Sequence, residues 1–375
     1  MANMANTANM ANMTNASNTA MTNTAGAIQQ RLQSRHANDE YTVGWICVLP
    51  VEFAAAKGML DEIHGEPQTL QANADDNPYL LGCIRQFKVV IASLPLHELG
   101  ASSAASVAKA MLFTFPNIRV GLLVGVGGGI PDNCYDDDDE GEEEEEEDPE
   151  EMICLGDVVI SSSPKTGGVV VYDFGKQLAD GSYESLSVLN RPPRSLTAGL
   201  TKLQAEHEMN GSKVVEYIEE MLNKNPFMRK GFAFPGRSLD RLFRPDSPHI
   251  AGEKTCRNCD KTRLVVRKPR LDDAPRIHYG TVASGRVVVK DPVMRDQIRD
   301  KHGAICLEME AAGLMNIFPC VVIRGISNYA DSHKNDSWQR YAAAAAAACA
   351  KEFLGCVQLK SIDRKPAAKD FLNTG

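Results

Sequence analysis

The chain has 375 residues, 43% hydrophobic and 24% charged, a balance that fits a globular protein of one large domain or two. The longest apolar runs, Val120–Ile130 and Ala342–Ala350, are too short for a membrane-spanning helix. The net charge of −9 is local: Asp136–Glu151 carries 14 acidic residues and no basic one, and without it the chain stands at +5.

Residues 1–30 repeat Met-Ala-Asn with Thr and carry no charge, so residues 1–39 are expected to form a disordered tail. Thr42–Leu49 has the length and apolarity of a strand that Pro50 ends, and Glu52–Leu60 has helical composition. Phe87–Ser93 reads as a strand, Ser102–Phe113 as a helix, and Arg119–Gly125 as a strand running into Gly127-Gly128-Gly129. The acidic block, taken as a loop over 135–151, is expected to be disordered by self-repulsion. Asp157–Ser161 and Gly168–Tyr172 follow as strands. Residues 226–277, rich in Arg, Pro and Asp, read as an insertion. Strands resume at His278–Ala283 and Cys320–Ile326, a long helix covers Ser337–Val357, and 360–375 is a polar tail. Apolar strands alternating with helices predict an α/β fold, its sheet buried on both faces.

Ligands in such folds bind beyond the carboxyl ends of strands. Glu52, Glu308, Glu310 and the segment Arg324–Asn328 all fall at such ends. Glu308 and Glu310 are two residues apart and would not share a helix face, but they can bracket a ligand where an extended segment becomes a helix. The glycine run suggests either close backbone approach to a ligand or a plain turn, and it lacks the spacing of a dinucleotide fingerprint. Cys256-Arg-Asn-Cys259, with His249 upstream, lacks an assured fourth zinc donor. His278 is available for that place, but structural thiols are the expectation, with no metal and no cofactor. No basic stripe with interleaved aromatics appears, so nucleic acid is not an expected partner, nor is a membrane. Cys47, Cys306 and Cys320 sit in apolar, core-like stretches, and no leader pattern precedes the first strand. A cytoplasmic location is therefore expected.

Val43–Glu52, Val124–Gly129, Leu155–Ile160, Ala283–Gly285, Cys306–Gly313 and Ile323–Asp331 together resemble the purine nucleoside phosphorylase/uridine phosphorylase superfamily, over about residues 41–358. The resemblance is greatest to methylthioadenosine/S-adenosylhomocysteine nucleosidases, in particular a fungal branch with a Cys-x-x-Cys insertion and the segment seen here at Tyr329–Asn335. It implies a three-layer α/β/α sandwich around a mixed, largely parallel sheet, within one domain over 40–359. It also implies a homo-oligomer, as a dimer, and hydrolysis of purine nucleosides to free base and ribose. Glu52 matches the residue that activates water. Met309 and Glu310 match the ribose-binding pair, with Glu308 their neighbour, and Arg324 matches an arginine near the nucleophile. Val288 and Val289 match base-pocket positions, and Asn328 the residue at purine N7. Gly127, Gly128 and Ser284 complete the expected substrate contacts.

Phosphorylases of this superfamily hold phosphate with an arginine and a hydroxyl where this chain has Leu123 and Val126, which favours water over phosphate as nucleophile. Asn328 stands where the nucleosidases have Asp, so inosine or guanosine joins adenosine as a candidate, and a binding module without turnover is a further alternative. Asp331 could replace the missing acid if the backbone there turned helically. Arg286 replaces a smaller polar residue. For a nucleotide substrate, Lys165, Lys290, His333 and Lys334 are the candidate phosphate contacts.

Overall fold

The computed structural model describes residues 36–70, 75–132, 148–177, 179, 183–185, 188–318, 320–358 and 367–368. In chain order the elements are β1 (Val43–Cys47), α1 (Pro50–Met59), β2 (Glu62–Gly65), β3 (Tyr79–Ile84), β4 (Phe87–Ser93), α2 (Ala101–Thr114) and β5 (Val120–Gly129). β6 (Val158–Ser161), β7 (Val169–Val171), β8 (Gly175–Gln177), β9 (Tyr183–Ser185), α3 (Arg194–Asn210), α4 (Val214–Lys224) and α5 (Arg229–Phe232) follow. The last are β10 (Ile277–Ser284), α6 (Pro292–His302), β11 (Ala304–Glu308), α7 (Ala311–Leu314), β12 (Cys320–Asn328) and α8 (Gln339–Cys356).

The main sheet has ten strands in the order β11-β10-β6-β12-β5-β1-β4-β3-β2, with β7 beside β10. β1 pairs parallel with β4 and β5, and β5 with β12, whereas β12–β6, β3–β4 and β2–β3 are antiparallel. The sheet is therefore mixed and largely parallel, as expected. β11 also pairs antiparallel with β5, so β5, β12, β6, β10 and β11 close on themselves. This closure draws the glycine run into β5 itself, with Gly128 and Gly129 opposite Leu307 and Cys306, in place of the turn that glycines suggest.

Helices cover both faces, giving the α/β/α layering. α1, α3 and α4 pack around α8 on one side, and α2 packs with α7 on the other. Ala342–Ala348 of α8 are all buried, and the helix backbone lies so close to β12 that a Cβ on Gly325 would be 1.9 Å from the carbonyl oxygen of Ala342. α3 and α4, which sequence reading passes over, bury Leu196, Leu200 and Leu203, and Val214, Tyr217, Ile218, Met221 and Leu222.

Most of the expected N-terminal tail and acidic loop, and nearly all of the C-terminal tail, lie outside the described residues. Two borders need correction. Asn38–Glu40 form a short 3-10 turn, where Asn38 donates to the Thr69 and Thr114 carbonyls at 2.7 and 3.1 Å and Glu40 pairs with Lys88. Glu150 accepts from the Leu271 amide at 2.9 Å and pairs with Arg276. Specific partners fix both places, which charge and composition alone do not reveal.

The 226–277 insertion packs Phe232 and Leu242 into the main core and is also fastened by charge. Buried Asp157 accepts from both Arg270 Nη groups at 2.8 and 2.7 Å, from the Cys154 and Arg276 amides at 2.8 and 3.0 Å, and pairs with His278 Nε2 at 3.0 Å. Burial works against its charge, but Arg270 and His278 outweigh it and hold its carboxyl down at about 2. Its contribution to stability is thus present above the ordinary aspartate pKa and is lost as pH falls through about 2. R270A leaves a buried, underpaired carboxylate and should cost about 3–5 kcal/mol in urea unfolding at pH 7. The deficit should shrink as pH falls through the range where Asp157 takes up its proton; a deficit independent of pH would assign it to lost packing instead.

Candidate active site

The carboxyl ends of β1, β5, β11 and β12 converge on a cleft of about 230 Å³ lined by Glu52, Val126, Gly127, Gly128, Val288, Val289, Glu308, Met309, Glu310, Arg324 and Asn328, among others. Ten of the eleven residues singled out from sequence therefore border one space.

Glu52 stands in the first turn of α1, whose start is set by Pro50. Its Oε2 accepts from the Val48 and Leu49 amides at 2.7 and 2.9 Å, and its Oε1 from the Val126 amide at 2.7 Å. The helix N-terminus and these amides hold the carboxylate in place. Burial nevertheless raises its pKa, against the opposing pull of Arg324 and the amides, and so makes it a stronger base. Gly125 is required beneath it: a Cβ there would lie 2.4 Å from Glu52 Oε1 and 2.6 Å from Arg324 Nη1.

Arg324, on β12 and 1% exposed, pairs through Nη2 with Glu308 Oε2 and, at 3.3 Å, with Glu310 Oε2. Glu308 also accepts from the Glu310 amide at 3.1 Å and from the Ala311 amide at 3.0 Å, which caps α7. Its Oε1 also accepts from the Ala311 amide, at 3.1 Å, so both oxygens are engaged by the protein and Glu308 acts as a positioning residue. Glu310 Oε1 accepts from the Gly100 amide at 3.2 Å, at the start of α2. Burial, reinforced by Glu308 and Glu52 and countered by Arg324, pushes its carboxyl up to about 7.

Asn328 is oriented by a directed relay. Ser327 Oγ donates to the Gly127 carbonyl at 3.2 Å and accepts from Asn328 Nδ2 at 2.9 Å, while Asn328 Oδ1 accepts from the Ala330 amide at 3.0 Å. The amide oxygen is thereby occupied, and one Nδ2 hydrogen is left to donate. Ala330 has φ +52°, in the left-handed region, so the chain does not turn helically after Asn328. Asp331 borders the neighbouring pocket, with Cys256 and His333, which shares Ser327, Asn328 and Asn335 with the cleft, and it does not line the cleft itself.

Other expectations need correction. Ser284 lies off the cleft: fully buried, its Oγ accepts from the Ala312 amide at 2.9 Å and anchors α7. Arg286 is exposed and pairs with Asp173 at 3.3 Å. Of the cationic candidates only Lys334 borders the cleft. Partial dehydration and the charge of Lys290 lower its pKa. His333 faces the insertion, with its ring stacked on Phe243 at 3.7 Å. Sequence reading does not single out Leu49, Leu99, Asn335, Asp336 or Gln339 on the cleft wall, although Leu49 and Asn335 lie within motif segments, as Ser327 lies within Arg324–Asn328.

The family model described as "Phosphorylase superfamily" matches residues 232–357. A nucleotide-binding leucine-rich repeat (NLR)-like protein of Hyaloscypha variabilis is 40% identical over 335 residues, covering 89% of this chain and 31% of its own length. The ATP nucleosidase Cap17 of Escherichia coli is 35% identical over 84 residues, 21% of this chain and 17% of its own. This chain thus spans under a third of the length of either relative. The structure of 5'-methylthioadenosine/S-adenosylhomocysteine nucleosidase from Neisseria meningitidis, in complex with methylthio-immucillin-A, superposes with a TM-score of 0.50 at 16% identity, covering 84% of this chain and 98% of that one. Residues 232–357 thus match the phosphorylase superfamily, and the fold of the described chain agrees with that match.

Proposed function

We propose that the chain is a purine nucleoside N-ribosyl hydrolase. The observation that carries this reading is the clustering of Glu52, Glu308 and Glu310 around a single buried arginine, with the Asn328 amide on the same cleft wall. Breaking a glycosidic bond builds positive charge on the ribose and negative charge on the base. Buried carboxylates stabilise the first, and a donor at N7 the second. Glu52 takes a proton from water as its oxygen bonds to the sugar carbon. The electrons of the broken bond go to the base, which Asn328 Nδ2 holds at N7 while solvent supplies its proton. Glu310 holds the ribose hydroxyls with Met309 beside it, and Val288 and Val289 border the base.

Water is favoured over phosphate by charge. A phosphate dianion would meet three carboxylates and an arginine already paired with two of them. Leu123 is fully buried and Val126 offers an apolar side chain where a phosphate site needs donors. A charge-assisted contact of this kind is worth about 1.5–3 kcal/mol. A nucleotide substrate is the second reading, favoured by Lys334 on the cleft and by similarity to a protein named as an ATP nucleosidase.

The test is product analysis with adenosine, inosine, guanosine and ATP, with and without phosphate. Free base and ribose (or ribose triphosphate from ATP), formed independently of phosphate, are expected; ribose 1-phosphate formed only with phosphate would overturn hydrolysis. E52Q should lower kcat by about 10²–10⁴-fold. Since Glu52 and Glu310 act as anions, kcat/KM should fall as pH drops through about 7, and a flat profile there would remove Glu310 from the chemistry. K334A should raise KM for ATP about 10-fold or more and leave adenosine unaffected; equal effects would remove the nucleotide reading.

A further inference from the structure

We propose that the insertion carries a structural zinc site made by His249, Cys256, Cys259 and His333. One ligating atom from each of the four lies within 4.8 Å of the others. The two thiols are free and buried, in a segment with little regular structure, where they cluster with Phe243 and with Leu264 packed against it. Zinc bonds of about 2.0–2.3 Å place neighbouring ligands of a tetrahedron about 3.3–3.8 Å apart. Cys256 Sγ and His333 Nδ1 are already 3.7 Å apart.

The surroundings prepare these donors. His333 Nε2 lies 2.8 Å from the Ser247 carbonyl, which can only accept, so the proton sits on Nε2 and the Nδ1 lone pair faces Cys256. Phe243 stacks on the same ring at 8° and shields it, and Asn335 Nδ2 donates toward Cys256 Sγ at 3.9 Å. Two thiolates and two imidazoles suit zinc above harder cations. His278, the alternative fourth donor from sequence, is engaged with Asp157 instead. His333 supplies that place from 77 residues beyond Cys256, so the metal would tie the insertion to the Tyr329–Asn335 segment, whose Lys334 and Asn335 border the cleft.

The experiment is metal analysis of the full chain after zinc reconstitution and removal of loosely held ions, with cobalt(II) substitution beside it. One zinc per chain is expected in the wild type and in H64A, which disrupts the other cluster of candidate donors, Glu62, His64 and Cys83. C256A/C259A should lose the ion. Stripping the wild type with a chelator should lower Tm, and zinc should restore it. Should the double variant fail to fold, the cobalt-loaded wild type decides: thiolate-to-cobalt charge-transfer bands support the site. Their absence, a metal-free wild type, zinc retained by C256A/C259A, or zinc lost in H64A alone would each overturn it.

Discussion

Arg324 is the interaction on which the rest of the site depends. A guanidinium at the centre of a sheet loses its hydration, and only carboxylates at close range compensate. Glu308 and Glu310 provide that compensation from β11 and its exit, and the charge of Glu52 adds to it across the space that the missing side chain of Gly125 leaves. The arginine, in turn, lets three carboxylates share a space in which they would otherwise repel. The sheet closure through β11 and β5 serves the same end, since it brings the Glu308 strand across to the glycine run and so to β12.

The carboxylates divide the work by how their oxygens are engaged. Glu308 is consumed by backbone amides and Arg324, and so fixes the start of α7. Glu310 and Glu52 meet the cleft with raised pKa values because burial prevails over their partners. Neighbours in one short motif thus become a framework group and a titrating group. The difference comes from the bend of the chain after Glu308, which composition does not express.

The layer order, most strands and the positions of Glu52, Glu310, Arg324 and Asn328 were legible because apolar strand runs and polar residues at their ends are local signals. Residues 214–222 carry an equally local signal, apolar positions recurring at helical spacing, in Val214, Tyr217, Ile218, Met221 and Leu222. Other features depend on distant partners. Ser284 looked like a ligand contact until its hydroxyl met the Ala312 amide. His333 sits beside Cys256, 77 residues away, which no spacing rule reaches. The glycine run looked like a turn because its strand partner, β11, lies far along the chain.

The Gly127–Ser327–Asn328–Ala330 relay runs in one direction, so the Asn328 amide cannot flip without setting donors against donors. In the nucleosidase reading this gives the site a memory of reaction progress. Before cleavage, N7 is an acceptor and the amide hydrogen attracts it. A freed purine that has taken up a proton at N7 presents N–H to N–H, and the contact that held the substrate then repels the product. A protonatable aspartate in that place could change roles and keep hold of that tautomer; a fixed asparagine holds only a base whose N7 still accepts.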